Sequence, residues 1–267
     1  MTDPMLSRWA DGAIALITLR RPSAGNSLDA ATRAELRDTL QVIANDAAVR
    51  CVVIAGEGRF FCTGADLKEV AARHATAARG EPIASTEQHI IEEYKPIFAG
   101  IVSLPQPVIA AISGTAAGAG VSLALACDLK VMAQDAKLLV PFSQVGLVTD
   151  CGASWSLVRH LGYSRAYELA IEGQSIDANE ALARGLVNRV VTRERVLAES
   201  LDWATSIAAR ASLAVSATKI AMRHALEHDM LSTFDLEARL QAACAASADH
   251  REGLTAFLEN RPPVFGR

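Results

Sequence analysis

Two glycine-bearing loops each connect an apolar segment to a segment with a helical pattern. Backbone groups in these loops could take part in binding or catalysis. Residues 107–113 predict a buried strand, the next loop contains Gly114, Gly118 and Gly120, and residues 121–126 predict a helix. Small side chains at a helix start leave its first N–H groups open, and these have no intrahelical partners. The helix dipole favours negative charge there, so this loop could hold an oxyanion or a phosphate.

A second segment repeats this order nearer the N-terminus. Residues 51–55 predict a buried strand, residues 56–64 a glycine-bearing loop and residues 65–72 a short helix. If the two strands are adjacent and parallel, as right-handed crossovers favour, both helix starts can face one pocket. The alternative is that the glycines only allow close packing of helix on strand. The loop 114–120 lacks the Gly-Lys-Ser/Thr ending of a P-loop and the dinucleotide spacing.

The remaining patterns predict an α/β core, residues 1–192, followed by a helical region, residues 193–267. Asp29 is placed to cap a helix over residues 30–45. The alanine-rich stretch 71–88 predicts either a mobile surface segment near the pocket mouth or a plain linker. The apolar helix faces after residue 192 favour packing against another subunit. Further strands are predicted at 13–19, 128–133 and 186–191, and helices at 90–104, 153–161, 164–171, 177–184, 193–210, 213–228, 231–248 and 251–259.

Composition excludes several classes of function. The chain of 267 residues has a net charge of −4, which argues against nucleic acid as a partner. Its five cysteines lack a Cys-x-x-Cys pair, which fits a reducing, cytoplasmic location without structural zinc or another metal site. Residues 1–9 show no signal-peptide pattern. Residues 96–127 are uncharged, but their prolines and glycines indicate buried elements rather than a membrane span.

Several motifs in chain order resemble the crotonase (enoyl-CoA hydratase/isomerase) superfamily. The resemblance implies a ClpP-like spiral of ββα units with a C-terminal helical trimerisation region, hence a homotrimer or a dimer of trimers. It implies acyl-CoA thioester substrates, as in fatty acid metabolism or aromatic catabolism, with no cofactor beyond the coenzyme A of the substrate. The motifs are Phe-Cys-Thr-Gly-Ala-Asp-Leu at 61–67, Pro-Val-Ile-Ala-Ala-Ile-Ser-Gly at 107–114, Ala-Gly-Ala-Gly at 117–120 and Gly-Leu-Val at 185–187.

The resemblance also implies site residues. By motif position, the backbone N–H groups of Ala65 and Ala119 form an oxyanion hole; family members usually have glycine at the second position. Removing a proton next to a thioester carbonyl puts negative charge on its oxygen, and fixed donors stabilise that enolate. The loop 21–26 matches the segment near the coenzyme A phosphates, although Ser23 stands where a lysine is common. The substrate-binding positions that match are Ala24, Ala65, Asp66, Leu67, Lys68, Gly118 and Phe142.

The two glutamates of typical hydratases are replaced here by Ser122 and Phe142. Hydration needs one group to activate water and another to deliver a proton. One acid remains in the region, Asp150, and its surroundings resemble the branch of ring-1,2-epoxyphenylacetyl-CoA isomerase and 3,2-enoyl-CoA isomerase. We therefore predict isomerisation of a 3-enoyl-CoA to a 2-enoyl-CoA, with Asp150 as the proton shuttle. A dry pocket would raise the pKa of that carboxyl group.

Three alternatives stay open. The protein could be an enoyl-CoA hydratase-like lyase, or a hydrolase similar to 4-chlorobenzoyl-CoA dehalogenase, in which Asp150 is the nucleophile and His89 activates water. It could instead be a non-catalytic acyl-CoA-binding member of the superfamily. Asp150 could also be a simple N-cap of the helix 153–161, and His89 a solvated loop residue. We interpret Cys62 and Cys151 as small buried side chains.

Overall fold

The computed structural model describes residues 5–266; Met1 to Pro4 and Arg267, which belong to the ends of the predicted regions 1–192 and 193–267 and to the stretch 1–9, lie outside the described residues. In this described part of the chain, ten strands form two sheets. The strands are β1 Leu6–Trp9, β2 Ile14–Leu19, β3 Cys51–Gly56, β4 Phe60–Cys62, β5 Val108–Ile112, β6 Thr115–Ala117, β7 Leu129–Ala133, β8 Lys137–Leu139, β9 Ser175–Asp177 and β10 Arg189–Val191.

The first sheet has six strands in the order β1-β2-β3-β5-β7-β10, and the second has four in the order β4-β6-β8-β9. Strands β2, β3, β5, β7 and β10 run parallel to one another, and the edge strand β1 pairs with β2 in antiparallel orientation. Strands β3 and β5 are adjacent, with Val52 paired with Val108, as the sequence predicts for the two strands that feed the glycine loops. Their near-continuous apolar sequences suit strands that are buried on both faces.

Twelve α-helices within residues 5–266 complete the fold. Asp29 caps α1 by accepting a hydrogen bond from the N–H of Thr32, as predicted. A π-helical turn, Ile90–Tyr94, joins α3 to α4. The helices are α1 Ala30–Ala44, α2 Leu67–Ala78, α3 Thr86–His89, α4 Lys95–Ser103, α5 Ala119–Ala126, α6 Ala153–Leu161, α7 Tyr163–Glu172, α8 Ala178–Ala183, α9 Val196–Ala208, α10 Ser212–Ala225, α11 Met230–Ala245 and α12 Ala248–Leu258.

The chain is built from repeats of two strands and a helix. In β3-β4-α2 and again in β5-β6-α5, one strand enters the first sheet, the next enters the second sheet, and a helix follows. The repeats therefore stack side by side, and the chain winds as the predicted spiral of ββα units. The turns between β4 and α2 and between β6 and α5 come to the same place, because β4 pairs with β6 in parallel.

Two predictions about the segment that contains α2 are wrong. The helix predicted to start at Ala65 begins at Leu67, because Asp66 is its N-cap. The stretch 71–88 is not a linker throughout, since α2 continues to Ala78 and α3 begins at Thr86. Alanine has the highest intrinsic helix propensity of the amino acids. This preference explains why α2 extends through the alanine-rich stretch.

The uncharged stretch 96–127 contributes α4, β5, β6 and α5 to the protein core, and every residue of β5 is buried. Among residues 5–266, none of the helices combines the length and the apolarity that are needed to cross a bilayer. Helix α9, which opens the predicted helical region, packs on β3 and β5 of the first sheet. Its Val196 and Ala204 are buried in the core.

Candidate active site

The two glycine loops touch each other at Gly64. This residue has a φ of +86°, and a Cβ placed on it would lie 2.8 Å from the carbonyl oxygen of Ala117 and 2.8 Å from the nitrogen of Ala119. Only glycine fits both the backbone conformation and the space. The peptide that carries the N–H of Ala65 is thus next to the peptide that carries the N–H of Ala119.

Ala119 is the first residue of α5, so its N–H has no acceptor within the helix. The carbonyl of the preceding residue, Gly118, accepts hydrogen bonds from the N–H groups of Val121 at 2.9 Å and Ser122 at 3.4 Å. In a trans peptide the C=O and the following N–H point in opposite directions. The first turn of α5 therefore fixes the Ala119 N–H so that it points out of the helix end.

The direction of the Ala65 N–H is likewise fixed by a hydrogen bond to the carbonyl of the preceding residue. Ala65 forms an isolated parallel bridge with Leu28, and the N–H of Leu28 donates to the carbonyl of Gly64 at 2.8 Å. Because the Gly64–Ala65 peptide is trans, the N–H of Ala65 points away from Leu28. This donor lies two residues before its helix, whereas the Ala119 donor is the first residue of its helix.

Asp66 follows Ala65, and its carboxylate forms hydrogen bonds with other residues of the protein. One oxygen of its carboxylate accepts from the N–H groups of Lys68 and Glu69 at 3.0 and 3.4 Å, and the other accepts from Arg21 at 2.9 Å and from Ser27 at 3.0 Å. The hydrogen bond from Arg21 is the main reason that the pKa of Asp66 is lowered to about 2. Asp66 thus ties the start of α2 to the loop 21–27.

The predicted coenzyme A segments lie beside these loops. The N–H of Thr63 donates to the carbonyl of Gly25 at 3.0 Å, which packs the loop that contains Ala24 against the chain leading to Gly64. Leu67 is 71% exposed, and Lys68 is exposed as well. These side chains therefore border the open mouth of the candidate site rather than its interior.

Asp150 lies on the other side of the first turn of α5. Its carbonyl accepts a hydrogen bond from the hydroxyl of Ser122 at 3.0 Å and another from the N–H of Ala153 at 2.9 Å. Because Ser122 comes three residues after Ala119, it lies nearly one turn along on the same face of α5. The backbone of Asp150 is therefore attached to the helix that presents the Ala119 donor.

The carboxylate of Asp150 has an unsatisfied oxygen. Within the described chain, Oδ1 is buried and has no hydrogen-bond partner. Burial raises the pKa of Asp150 above its ordinary value, and a hydrogen bond from the thiol of Cys151 opposes that shift. A buried carboxylate oxygen without a donor is costly to ionise and is held ready to take a proton.

The alternative that Asp150 is a helix cap is wrong. The N-cap of α6 is Gly152, with a φ of +85°, and no side chain makes a capping hydrogen bond there.

Cys151 is only half buried, whereas Cys62 is fully buried. Phe142 is also buried, and its ring tip would lie 3.9 Å from a Cβ at Gly118. An apolar ring at this distance keeps water from the loop that holds Ala119.

His89 has other neighbours than Asp150. Its Nε2 lies 3.9 Å from a carboxylate oxygen of Glu69, and its ring meets the ring of Tyr94 edge to face at 5.6 Å. Burial is the main cause of its lowered pKa. The side chain is 16% exposed, so the interpretation of His89 as a solvated loop residue is wrong. None of its contacts within residues 5–266 supports a role as a partner of Asp150.

Sequence reasoning missed a buried polar cluster beside these loops, which contains Arg33, Glu69 and Tyr94. The guanidinium of Arg33 is 2% exposed and forms two hydrogen bonds with the carboxylate of Glu69, at 2.8 and 3.0 Å. A signal was present, because Arg33 precedes Leu36 by three residues on the stripe that buries α1. An arginine on an apolar stripe must find a buried partner.

A cavity of about 290 Å³ is lined by Ser122 and by Cys151, which neighbour the predicted site, whereas Ala65, Ala119 and Asp150 are not among its lining residues. Ser122, Cys151 and Gly152 form one wall, and Phe98 and Trp155 contribute apolar surface. A larger cavity of about 810 Å³ lies at the carboxyl ends of β2, β3 and β5, where Arg20 and Arg193 line it. We regard the smaller cavity as part of the candidate active site. It is lined by Ser122, which belongs to the first turn of α5, and by Cys151, which follows Asp150.

Comparison with known proteins is consistent with this geometry. Residues 10–267 match the family described as enoyl-CoA hydratase/isomerase, so the chain belongs to that family and has the crotonase fold. It is 40% identical over 252 residues to a probable enoyl-CoA hydratase of Rhodobacter capsulatus, covering 94% of each chain. It is 34% identical over 265 residues to the 1,2-epoxyphenylacetyl-CoA isomerase of Escherichia coli, covering 99% of each.

Solved structures agree. A crystal structure of an enoyl-CoA hydratase from Polaromonas sp. JS666 superimposes with a TM-score of 0.90 at 34% identity, covering 98% of this chain and 99% of the other. This protein is therefore an acyl-CoA-processing enzyme of the enoyl-CoA hydratase/isomerase superfamily. Relatives named as hydratases outnumber those named as isomerases, so the names do not assign one reaction.

Proposed function

We propose that this enzyme moves the double bond of a 3-enoyl-CoA to the 2 position, with Asp150 as the only acid–base group. The observation that carries the proposal is the buried, unpaired Oδ1 of Asp150, a residue whose backbone carbonyl accepts from the Ser122 hydroxyl in the first turn of α5. Isomerisation needs one group that takes a proton and gives it back. A single carboxylate of raised pKa suits both steps.

In the proposed reaction, the carboxylate of Asp150 takes a proton from C2 of the thioester. The electrons pass to the thioester oxygen, and the N–H groups of Ala65 and Ala119 stabilise the resulting dienolate. One such donor typically contributes about 3–4 kcal/mol to the transition state. The carboxylic acid then returns the proton to C4, and the double bond forms between C2 and C3. Water takes no part, which fits the apolar ring of Phe142 beside Gly118.

Hydration is the second candidate, because most of the similar relatives carry hydratase names. Two features of the site weigh against it. The hydroxyl of Ser122 donates to the carbonyl of Asp150, so it serves structure rather than proton transfer. Phe142, at the position of the second glutamate, has no group that could activate water. A hydratase built here would have to use Asp150 for both tasks.

The acyl chain beyond C4 is proposed to enter the cavity of about 290 Å³ next to Ser122 and Cys151. Phe98 and Trp155 give this cavity apolar walls, which suit an aliphatic or aromatic acyl group. Val145 and Leu147 also precede Asp150, but both are exposed and lie outside the cavity wall. An acyl-CoA is thus held with its thioester between the two loops and its tail along α5.

The test compares 3-hexenoyl-CoA with crotonyl-CoA, read by absorbance and by mass. Isomerisation of the first changes absorbance without changing mass, whereas hydration of the second adds the mass of water. Asp150→Asn should fold, bind coenzyme A thioesters and lose turnover of 3-hexenoyl-CoA by at least about 10³-fold. The control is Asp46→Asn, which removes a surface carboxylate paired with Arg8.

Each other outcome has a clear meaning. Full activity of Asp150→Asn refutes the role of the carboxylate. Addition of water to crotonyl-CoA supports the hydratase alternative. Halide release from 4-chlorobenzoyl-CoA supports the hydrolase, and binding without any conversion across a panel of thioesters supports a non-catalytic member.

A homotrimer or a dimer of trimers is proposed as the assembly, because the terminal helices leave large apolar side chains uncovered. Exposed apolar surface of this extent marks an interface between subunits. Light scattering coupled to size-exclusion chromatography should give three or six times the mass of the chain, and a monomer would contradict the proposal. The exposed side chains include Ile220, Met222, Met230, Leu231, Phe234, Leu254, Phe257 and Leu258.

A further inference from the structure

We propose that the ion pair between Arg33, which is buried, and Glu69, which is half-buried, is a positioning element for the oxyanion hole, because it sets the direction of the Ala65 N–H. The inference rests on the proposed function of that N–H as a donor to the thioester oxygen. Neither side chain is assigned to contact the substrate. A chain of contacts runs from the guanidinium of Arg33 to the peptide between Gly64 and Ala65.

The first contact is between Arg33 and the backbone. Its Nη1 donates to the carbonyl of Leu28 at 2.7 Å, and the hydroxyl of Tyr94 lies 3.5 Å from the same oxygen. The N–H of Leu28 in turn donates to the carbonyl of Gly64 at 2.8 Å. Since that carbonyl and the Ala65 N–H belong to one trans peptide, a rotation of Leu28 would turn the Ala65 donor.

The second contact is between Arg33 and the first turn of α2. Glu69 accepts two hydrogen bonds from the guanidinium, and its Oε2 also accepts from the N–H of Ala30 at 3.0 Å. Glu69 is thus attached to α1 at two points. The segment around Leu28, helix α1 and the start of α2 are therefore held as one unit around the guanidinium.

The surroundings make the position of Arg33 rigid. The guanidinium lies 4.8 Å from the centre of the Tyr94 ring, and the side chain of Tyr94 is itself buried. A planar group that is held by two carboxylate oxygens, a carbonyl and an aromatic ring has one orientation. A fixed donor is the property that an oxyanion hole needs, because it stabilises charge without reorganising during the reaction.

The arrangement explains why a charged side chain, Arg33, is buried on the face of α1 that also buries Leu36, Leu40 and Ile43. A buried ion pair is weak evidence for stability, since an apolar pair of similar volume is often as stable. Its specific geometry is what an apolar pair could not supply. The expected effect of losing the pair is therefore on the reaction more than on folding.

The experiment compares Glu69→Gln, Arg33→Met and the double variant Arg33→Met/Glu69→Met. Each single variant leaves one partner without its counter-charge, and in Glu69→Gln that partner is the buried guanidinium of Arg33, so both can lose stability. The double variant removes both charges and keeps similar volume. We expect it to unfold near the wild-type denaturant concentration, while kcat for 3-hexenoyl-CoA falls by about 10-fold or more and KM changes less than about threefold. Glu69→Gln should give a smaller loss of kcat.

A spectroscopic measurement separates positioning from folding. A dimethylaminocinnamoyl thioester of coenzyme A absorbs at longer wavelength when hydrogen bonds polarise its carbonyl. The bound wild-type protein should show this red shift, and the double variant should bind the probe with a clearly smaller shift. Arg37→Met is the matched control, because this exposed arginine of α1 bonds to Asp38 and should leave the shift and kcat unchanged.

The outcomes decide the matter. A folded double variant with wild-type kcat and red shift overturns the proposal. If the double variant does not fold, Glu69→Gln becomes the deciding variant. An unchanged red shift in Glu69→Gln would then overturn the proposal. The proposed reaction can fail separately: if Asp150→Asn keeps its turnover, Asp150 is not the proton shuttle, but the red shift still reports on the Ala65 donor.

Discussion

The two candidate oxyanion donors are held in place by different means. The Ala119 N–H belongs to a helix that lies in the core, and seven of the eight residues of α5 are buried. The Ala65 N–H precedes α2, which has no buried residue among those that the structure describes. One donor is positioned by backbone packing, and the other by polar side chains on the neighbouring segment.

The contrast has a physical origin. Helix α5 approaches β4 so closely that a Cβ on Gly120 would lie 2.0 Å from the carbonyl oxygen of Cys62. Such packing has a single arrangement. Around Ala65, the ties are hydrogen bonds and ion pairs of Asp66, Glu69, Arg21 and Arg33, which depend on charge. The Ala119 donor should therefore tolerate changes of pH and charge, and the Ala65 donor should not.

The largest expected effect is at the packed donor. Gly120→Ala should destabilise the protein by about 3 kcal/mol or more, because the methyl group must displace the backbone at Cys62 rather than a flexible side chain. Thermal or denaturant unfolding checks this. Gly100→Ala in α4 is the control, since its Cβ would lie 3.4 Å from the side chain of Leu40, an ordinary contact. Equal stability of the two variants would contradict the packing argument.

The second effect falls where the two donors meet. Gly64→Ala adds a methyl group 2.8 Å from the Ala119 nitrogen and strains a φ of +86°. We expect kcat/KM to fall about 10²-fold, because both donors are displaced, and stability to fall by about 1–2 kcal/mol. Gly80→Ala has the same kind of strain, with a φ of +73° and open space around it. Steady-state kinetics of both variants separate displacement of the donors from backbone strain. Equal kcat/KM values in the two variants would contradict the predicted displacement.

The difference between the donors also explains what the sequence could predict. The long apolar runs at β3 and β5 and the glycines after them indicated two neighbouring loops, and the structure brings Gly64 against Ala119. The three-residue strands β4, β6, β8 and β9 were missed, because alternation of apolar and polar residues cannot be recognised over three positions. Helix α5 was predicted to begin at residue 121, two residues after its observed start.

The polar ties could be predicted only in part. An arginine at position 33, on the same stripe as Leu36, Leu40 and Ile43, signals a buried cation. Its partner Glu69 lies 36 residues further on, and no local pattern connects them. The same holds for Asp66, which binds Arg21 45 residues earlier. Asp150 could be found only through the family resemblance, because the unpaired state of its Oδ1 is a property of the folded chain.

The third effect tests the charge dependence of the Ala65 side. The pKa of Asp66 is about 2 in the folded protein, mainly because of the hydrogen bond from Arg21, against about 3.9 for an unfolded aspartate. Because the folded value is the lower one, ionised Asp66 contributes stability above about pH 4, and this contribution disappears as the pH falls towards 2. Asp66→Asn should be less stable at pH 7 by about 1 kcal/mol, since the ion pair borders solvent.

The measurement is the denaturant midpoint of the wild type and the variant between pH 7 and pH 2.5. The stability gap should be constant down to about pH 4 and close below it. Asparagine remains a good N-cap, so the substitution isolates the charge from the capping hydrogen bonds. A gap that stays the same at every pH would show that the ion pair with Arg21 does not distinguish the two donors.

The smallest effect concerns the link between Asp150 and the packed donor. Ser122→Ala removes the hydrogen bond to the Asp150 carbonyl, which still accepts from the N–H of Ala153. Because one donor remains, the loss of stability should be about 1 kcal/mol, and kcat should fall by a few-fold as the backbone of Asp150 loses its attachment to α5. Ser103→Ala removes an exposed hydroxyl bonded to Gly100 and should change neither. If Ser122→Ala instead abolished turnover as fully as Asp150→Asn, the hydroxyl would take part in proton transfer, and the site would have two acid–base groups rather than one.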